Sequence, residues 1–226
     1  MTGPIRQTRV SVAPGTGLAE TVGALGPDRT RYIVGHGAFR LVLASYLKIN
    51  PLDLQFSFGP NGKPKLAVTP AKDELEFNLS HSHEVALIAV TLRRQIGVDV
   101  EFIKKDFQWP EVAERFFAPG EVTKLRALPQ EHQLRAFFTC WTRKEAYIKA
   151  KGEGLSIPLQ NFEVSFCPGE RAALLGCKSD PKEVTRWSLA EIEAGSDYAA
   201  TVAVEGHGWQ LKCRRWPHES NLPTVS

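Results

Sequence analysis

The chain has 226 residues, with 28 Lys+Arg against 25 Asp+Glu, a formal net charge of +3, 42% hydrophobic and 9% aromatic residues. This is globular composition, which excludes disordered, collagen-like and coiled-coil chains, and the length fits one large domain or two small ones. A charge so small, from dispersed basic residues with no aromatic stacking array among them, argues against a nucleic-acid partner.

No window approaches the roughly 18 apolar residues of a membrane span, and the early arginines precede no apolar stretch of a secretory signal. The four cysteines, Cys140, Cys167, Cys177 and Cys213, form no CxxC pair, so neither a zinc knuckle nor a disulfide scaffold is indicated. A reduced, cytoplasmic chain is expected.

In chain order, residues 1–27 are rich in Gly, Pro and Thr, with a short alternation from Arg9 to Val12 that reads as an edge strand. A helix is predicted from Asp28 to Lys48, its apolar stripe carried by Phe39, Val42, Leu43 and Tyr46, and Asn50-Pro51 ends it. Leu54, Phe56 and Phe58 alternate as a strand before the turn Gly59-Pro60-Asn61-Gly62 and the run Lys63 to Leu66. Leu75, Phe77 and Leu79 mark a half-buried strand that stops at Ser80-His81-Ser82-His83. Val85–Leu92 and Ile96–Phe102 read as two arms of a hairpin turning at Arg93-Arg94-Gln95. Short helices broken near Pro119-Gly120 follow. A strong helix then runs from Glu131 to about Lys151, closed by Gly152 and Gly154. The remainder is strand-like: 162–166, 171–175, 185–189, 198–204 and 209–213, before a frayed tail. Each half therefore offers a long helix followed by several antiparallel strands.

Two features carry chemistry. In Ile96-Gly97-Val98-Asp99-Val100-Glu101-Phe102, strand alternation puts Gly97, Asp99 and Glu101 on one face, with the carboxylates about 6.6 Å apart along the strand. Such a pair converges on a hard cation such as Mg²⁺, and Gly97 leaves room for a ligand beside it; the alternative is a solvated outer face. On the Glu131–Lys151 helix, Glu145 falls about 40° from Trp141, inside the apolar stripe of Leu134, Phe137, Phe138 and Ile148. A carboxylate there needs an answering cation or metal, or pairing with the neighbouring Lys144 and Lys149. Phosphate-seeking groups accompany these: Ser80-His81-Ser82 at a strand end, Lys63 after a Gly-rich turn, and Arg31 in the first helix.

The strings GKP at 62–64, NLSHS at 78–82, IGVDVE at 96–101, RFF at 115–117 and WTRKEAYIKAKGEGLSIPL at 141–159 occur together and in order. In these the chain resembles the Sfp-type 4′-phosphopantetheinyl transferases, in the subgroup named for W and KEA, over roughly residues 29–166. The resemblance implies an α+β, pseudo-dimeric single chain of two similar halves, each a long helix packed on a small antiparallel sheet. Residues 1–104 would supply the nucleotide contacts and first metal carboxylates, and residues 105–226 the WxxKEA helix and carrier-protein docking. The implied reaction moves the phosphopantetheine arm of coenzyme A to a serine of an acyl or peptidyl carrier protein, with Mg²⁺ or Mn²⁺, releasing 3′,5′-ADP.

By the same resemblance Asp99, Glu101 and Glu145 are metal ligands. Asp99, Glu145 and Lys149 are catalytic. Arg31, Gly62, Lys63, Ser80, His81 and Lys149 hold coenzyme A, and Glu121 lies in the carrier-binding region. Phe107, Trp109, Phe116 and Phe117 lie in the segment joining the halves, where they form either a docking groove or core packing. A monomer is expected, with no membrane partner. Larger family members carry a basic stretch before the Arg31 position; here the region before Asp28 has only Arg6 and Arg9, and either these or Arg29 would take its place. The alternatives are a Mg²⁺-dependent phosphoesterase acting on coenzyme A or a related nucleotide, and a non-catalytic coenzyme-A- or carrier-binding regulator on the same scaffold.

Overall fold

The computed structural model describes residues 7–14, 27–67, 74–153 and 157–215, with side chains from residue 37 onward. Arg6, the Gly154 end of the predicted helix stop and the tail lie outside the described residues. So do the side chains of Arg9 and Arg31, whose backbones stand in a strand and a helix respectively.

The first helix, α1 (Pro27–Leu47), buries Phe39, Val42 and Leu43 of the predicted stripe together with Ala38, while Tyr46 is half-buried. The Arg40 guanidinium then fixes the exit loop by donating to the carbonyls of Pro51 and Leu54, and it lies 5.3 Å from the centroid of the Phe56 ring. A short hairpin, β2 (Phe56–Phe58) with β3 (Pro64–Leu66), precedes β4 (Leu75–Ser82), β5 (Val85–Leu92) and β6 (Ile96–Phe102). Helices α2 (Trp109–Phe116) and α3 (Pro119–Ala127) split at the expected Pro119, whose ring suits a first helical turn.

Helix α4 (Gln130–Lys151) ends at Gly152, whose φ of 68° is left-handed and whose N–H closes onto the carbonyls of Ile148 and Lys149. Then come β7 (Phe162–Val164), β8 (Leu174–Cys177), α5 (Glu183–Arg186), β9 (Trp187–Glu191), β10 (Tyr198–Glu205) and β11 (Gln210–Arg215). Thr185 and Arg186, expected in a strand, are helical because the strand alternation begins only at Trp187.

The sheets correct two expectations. β5 and β6 are not the two arms of a hairpin: β5 pairs with β4 and with β1 (Gln7–Pro14), while β6 pairs antiparallel with β10, Asp99 opposite Thr201. The sheets are also not purely antiparallel, since β11 lies parallel to β1 in the order β11-β1-β5-β4, beside a second sheet β6-β10-β9. Both sheets thus take strands from either side of residue 104. A period-two pattern says that a segment is a strand and which faces it has, but not which edge it will join.

Helix α4 packs across β6 and β10 and carries the larger core. Phe137 sits among Phe107, Phe117 and Trp141, with ring centroids 5.2–6.0 Å apart, and Tyr147 lies between Phe162 and Trp187. At about 1.5–3 kcal/mol for each buried large side chain, this cluster fixes the helix on the sheet. Phe117, read above as part of either a docking groove or the core, is only 2% exposed and belongs to this core.

Gly97 is where helix and strand cross. A Cβ there would lie 2.2 Å from the Ala146 carbonyl oxygen and 2.2 Å from the Ala150 nitrogen. The glycine therefore leaves room for the helix backbone rather than for a ligand.

Candidate active site

Strands β4 and β6 run side by side, yet no backbone ladder joins them among the described residues. Side chains replace it. Asn78 Oδ1 accepts the Val98 N–H at 2.8 Å, Ser80 Oγ the Val100 N–H at 3.3 Å, and Ser82 Oγ the Phe102 N–H at 3.0 Å. These contacts satisfy the inner edge of β6 while keeping the strands apart. In the gaps stand the two strand carboxylates: Ser80 donates to Asp99 Oδ1 at 3.0 Å and Ser82 to Glu101 Oε2 at 2.9 Å.

Helix α4 closes the other side. Lys149 Nζ donates to Asp99 Oδ1 at 2.6 Å and to Ser80 Oγ at 3.2 Å. Asp99 is 2% exposed and its second oxygen, Oδ2, is buried without a partner among the described residues. Burial raises the Asp99 carboxyl above its ordinary range, against the pull of Lys149 and Ser80. Burial and then the Asp99 charge raise Glu101. Glu145 is pushed up to about 7, first by burial and then by Asp99, with Lys149 opposing and Glu101 adding to the rise. Neither Asp99 nor Glu101 belongs to a solvated outer face, and Glu145 is paired with neither neighbouring lysine: Lys149 is held by Asp99, and Lys144 points elsewhere.

These four side chains form the polar wall of a cleft of about 710 Å³, faced by Arg115, Phe116, Trp141 and the segment from Ile157 to Gln160. Three carboxylates crowded beside one lysine, with a buried oxygen left open, are the donor chemistry of a hard divalent cation and its phosphate ligand. As they stand, no three His, Cys, Asp or Glu side chains among the described residues form a closed ligand set.

The residues expected at coenzyme A do not all gather at this wall. Ser80 is buried behind it, its hydroxyl committed to Asp99. His81 is exposed on the alternate face of β4. Gly62, with φ at 79°, makes the tight turn of the β2–β3 hairpin. Lys63 Nζ donates to the carbonyls of Ile96, at 3.0 Å, and Ala150, at 2.9 Å, so it ties that turn to the start of β6 and the end of α4; burial brings its pKa down to about 8.

Glu121 is corrected. It is 1% exposed, accepts the N–H groups of Ala118 and Val164, and pairs at 2.7 Å with Lys144, which also donates to the carbonyls of Leu159 and Phe162. This fully bonded buried pair staples α3, α4 and β7 rather than presenting a surface to a partner. Sequence reasoning passed over Arg115 as a site residue and read Ser82 as a phosphate-seeking group, not as the partner of Glu101. Nothing in a strand pattern shows that a hydroxyl will meet a carboxylate 19 positions away.

Residues 95–203 match the family model of the 4′-phosphopantetheinyl transferase superfamily. The 4′-phosphopantetheinyl transferase HetI of Nostoc sp. is 40% identical over 184 residues, 81% of this chain and 74% of the relative. AcpT of Escherichia coli O157:H7 is 30% identical over 75% of this chain and 85% of its own length. Sfp of Bacillus subtilis strain 168 is 34% identical over 61% of this chain and 58% of its own. Among solved structures, the Thermotoga maritima holo-[acyl-carrier-protein] synthase overlaps with a TM-score of 0.40 at 19% identity, covering 50% of this chain and 62% of that one. With carboxylates, lysine and WxxKEA helix brought to one cleft, and relatives this similar over most of their length, the chain belongs to the 4′-phosphopantetheinyl transferase superfamily.

Proposed function

We propose that this chain moves the 4′-phosphopantetheine arm of coenzyme A to a serine hydroxyl of an apo acyl or peptidyl carrier protein, releasing 3′,5′-ADP, and that the 710 Å³ cleft is its catalytic centre. The observation that carries the reading is the gathering of Asp99, Glu101, Glu145 and Lys149 on one cleft wall, with Asp99 Oδ2 buried and unpartnered among the described residues. Asp99, Glu101 and Glu145 are the residues that would hold Mg²⁺ or Mn²⁺. Such an ion, when bound, neutralises pyrophosphate charge and polarises the phosphorus under attack.

The chain's own groups do the rest. Lys149, fixed by Asp99 and Ser80, offsets the charge that grows on the leaving 3′,5′-ADP as the bond between phosphorus and bridging oxygen breaks. Glu145, whose side chain makes no hydrogen bond among the described residues, takes the serine Oγ proton directly or through a water as the new oxygen–phosphorus bond forms. Arg31, Gly62, Lys63 and His81 are assigned to the nucleotide end, Lys63 acting through the turn that it anchors.

In this reading residues 1–104 and 105–226 are two similar halves that exchange strands, β6 joining β9–β10 and β11 joining the sheet of β4 and β5. One chain then holds a whole site, so the active species is a cytoplasmic monomer. No described helix is long and apolar enough to cross a membrane. The half-buried Phe107 and Val112 and the exposed Lys104, around a smaller cavity of about 210 Å³ that shares Glu101 and Trp141 with the cleft, give the carrier protein an apolar seat with a lysine at its rim.

The test is to incubate the protein with Mg²⁺, coenzyme A and several apo-carrier proteins, and weigh the intact carriers. A gain of one phosphopantetheine, abolished in Asp99→Ala, is the expected result. No gain on any carrier overturns the reading in favour of a binding role.

A further inference from the structure

The seam between β4 and β6 has three rungs, and they are not alike. At each, a β4 side chain accepts one β6 N–H: Asn78 from Val98, Ser80 from Val100, Ser82 from Phe102. At the first rung the neighbouring β6 residue is Gly97, and the capping group is an amide. At the other two the neighbours are Asp99 and Glu101, and the capping group is a hydroxyl. A serine has one proton to give. With the Phe102 N–H occupying an acceptor site of Ser82 Oγ, that proton is directed onto Glu101 Oε2 at 2.9 Å, as the Ser80 proton is onto Asp99 Oδ1 at 3.0 Å.

We infer that Ser82 is a positioning residue: it fixes the rotamer of Glu101 so that this carboxylate is held ready for the divalent cation. The inference rests on the metal reading above and extends it from the ligands to the strand that aims them. Groups that orient a metal ligand typically contribute 10–100-fold in metal affinity. Among the described residues Glu101 has no lysine hydrogen-bonded to it, unlike Asp99, so the serine is its anchor.

The test is an electron paramagnetic resonance titration of Mn²⁺ into the purified full chain, with a thermal midpoint measured for every variant. Ser82→Ala should bind Mn²⁺ about tenfold more weakly than the wild type, and Ser82→Thr, which keeps the hydroxyl, within about twofold. Asn78→Ala removes a rung that touches no carboxylate. It should lower the thermal midpoint at least as much as Ser82→Ala, yet keep wild-type Mn²⁺ affinity. Equal Mn²⁺ affinity in wild type and Ser82→Ala overturns the inference, as does equal weakening in Asn78→Ala, which would make the effect one of seam integrity. Should Ser82→Ala not fold, Ser82→Cys, a weak donor of similar size, takes its place with the same expected loss. A wild type that binds no Mn²⁺ at all overturns the metal reading itself, and the inference with it.

Discussion

Glu145→Gln removes one of three like charges from the cleft wall without changing its shape. In the metal-free protein burial and the Asp99 charge move the Glu145 carboxyl from 4.5 to about 7. A group whose folded pKa is raised contributes stability that is fully present below pH 4.5 and is lost as pH rises through about 7. At 1.36 kcal/mol per pH unit, the loss is about 3 kcal/mol at most. The variant lacks this titration. In urea unfolding with EDTA, wild type and variant should therefore be similar at pH 4.5, and the variant should be the more stable by as much as about 3 kcal/mol at pH 8. Asp99 and Glu101 titrate in both proteins, so the difference between the two curves isolates Glu145 and its coupling to them. Adding Mg²⁺ at pH 8 should stabilise the wild type and do little for the variant. Parallel pH profiles would refute the reasoning, because they would mean that Glu145 feels neither the burial nor the neighbouring charges described above.

Three further outcomes follow from the packing. Gly97→Ala forces a methyl into the backbone of α4 and should cost about 3 kcal/mol or more, whereas Gly176→Ala, with nothing within 4 Å, should stay within about 0.5 kcal/mol; urea midpoints compare them. Glu121→Gln strands the Lys144 charge in the core and should cost about 3–5 kcal/mol. A rise in KM for carrier protein with unchanged stability would instead return Glu121 to the surface. Lys63→Met removes two hydrogen bonds that hold the β2–β3 turn and should destabilise by about 1–3 kcal/mol. A large rise in KM for coenzyme A at wild-type stability would show that the ammonium acts on the ligand instead.

Much of this was local, and local features are what a sequence displays. The α1 stripe, the break at Pro119 and the stop at Gly152 each follow from spacing or from one residue's backbone preference. The Asp99–Glu101 pair stood out because alternation in Ile96–Phe102 puts two carboxylates on one face, and Glu145 because it interrupts an apolar stripe. That Glu121 and Lys144 would find each other across 23 positions was not written in either helix. Glu121 reads as a carrier-binding residue and Lys144 as a candidate partner of Glu145 until α3 is laid against α4.

The sequence by itself determined most of the strands and the long helices, though not α5, and that a carboxylate pair and a displaced glutamate demand an explanation. Only the tertiary structure decided what they meet. It gave β6 to β10 rather than to β5, set the α4 backbone against Gly97, and turned Ser80 and Ser82 onto Asp99 and Glu101. The physical reason is that face and period are properties of one segment. Strand partnership, close backbone approach and the direction of a hydroxyl proton are properties of two segments, and they exist only once the chain has brought those segments together.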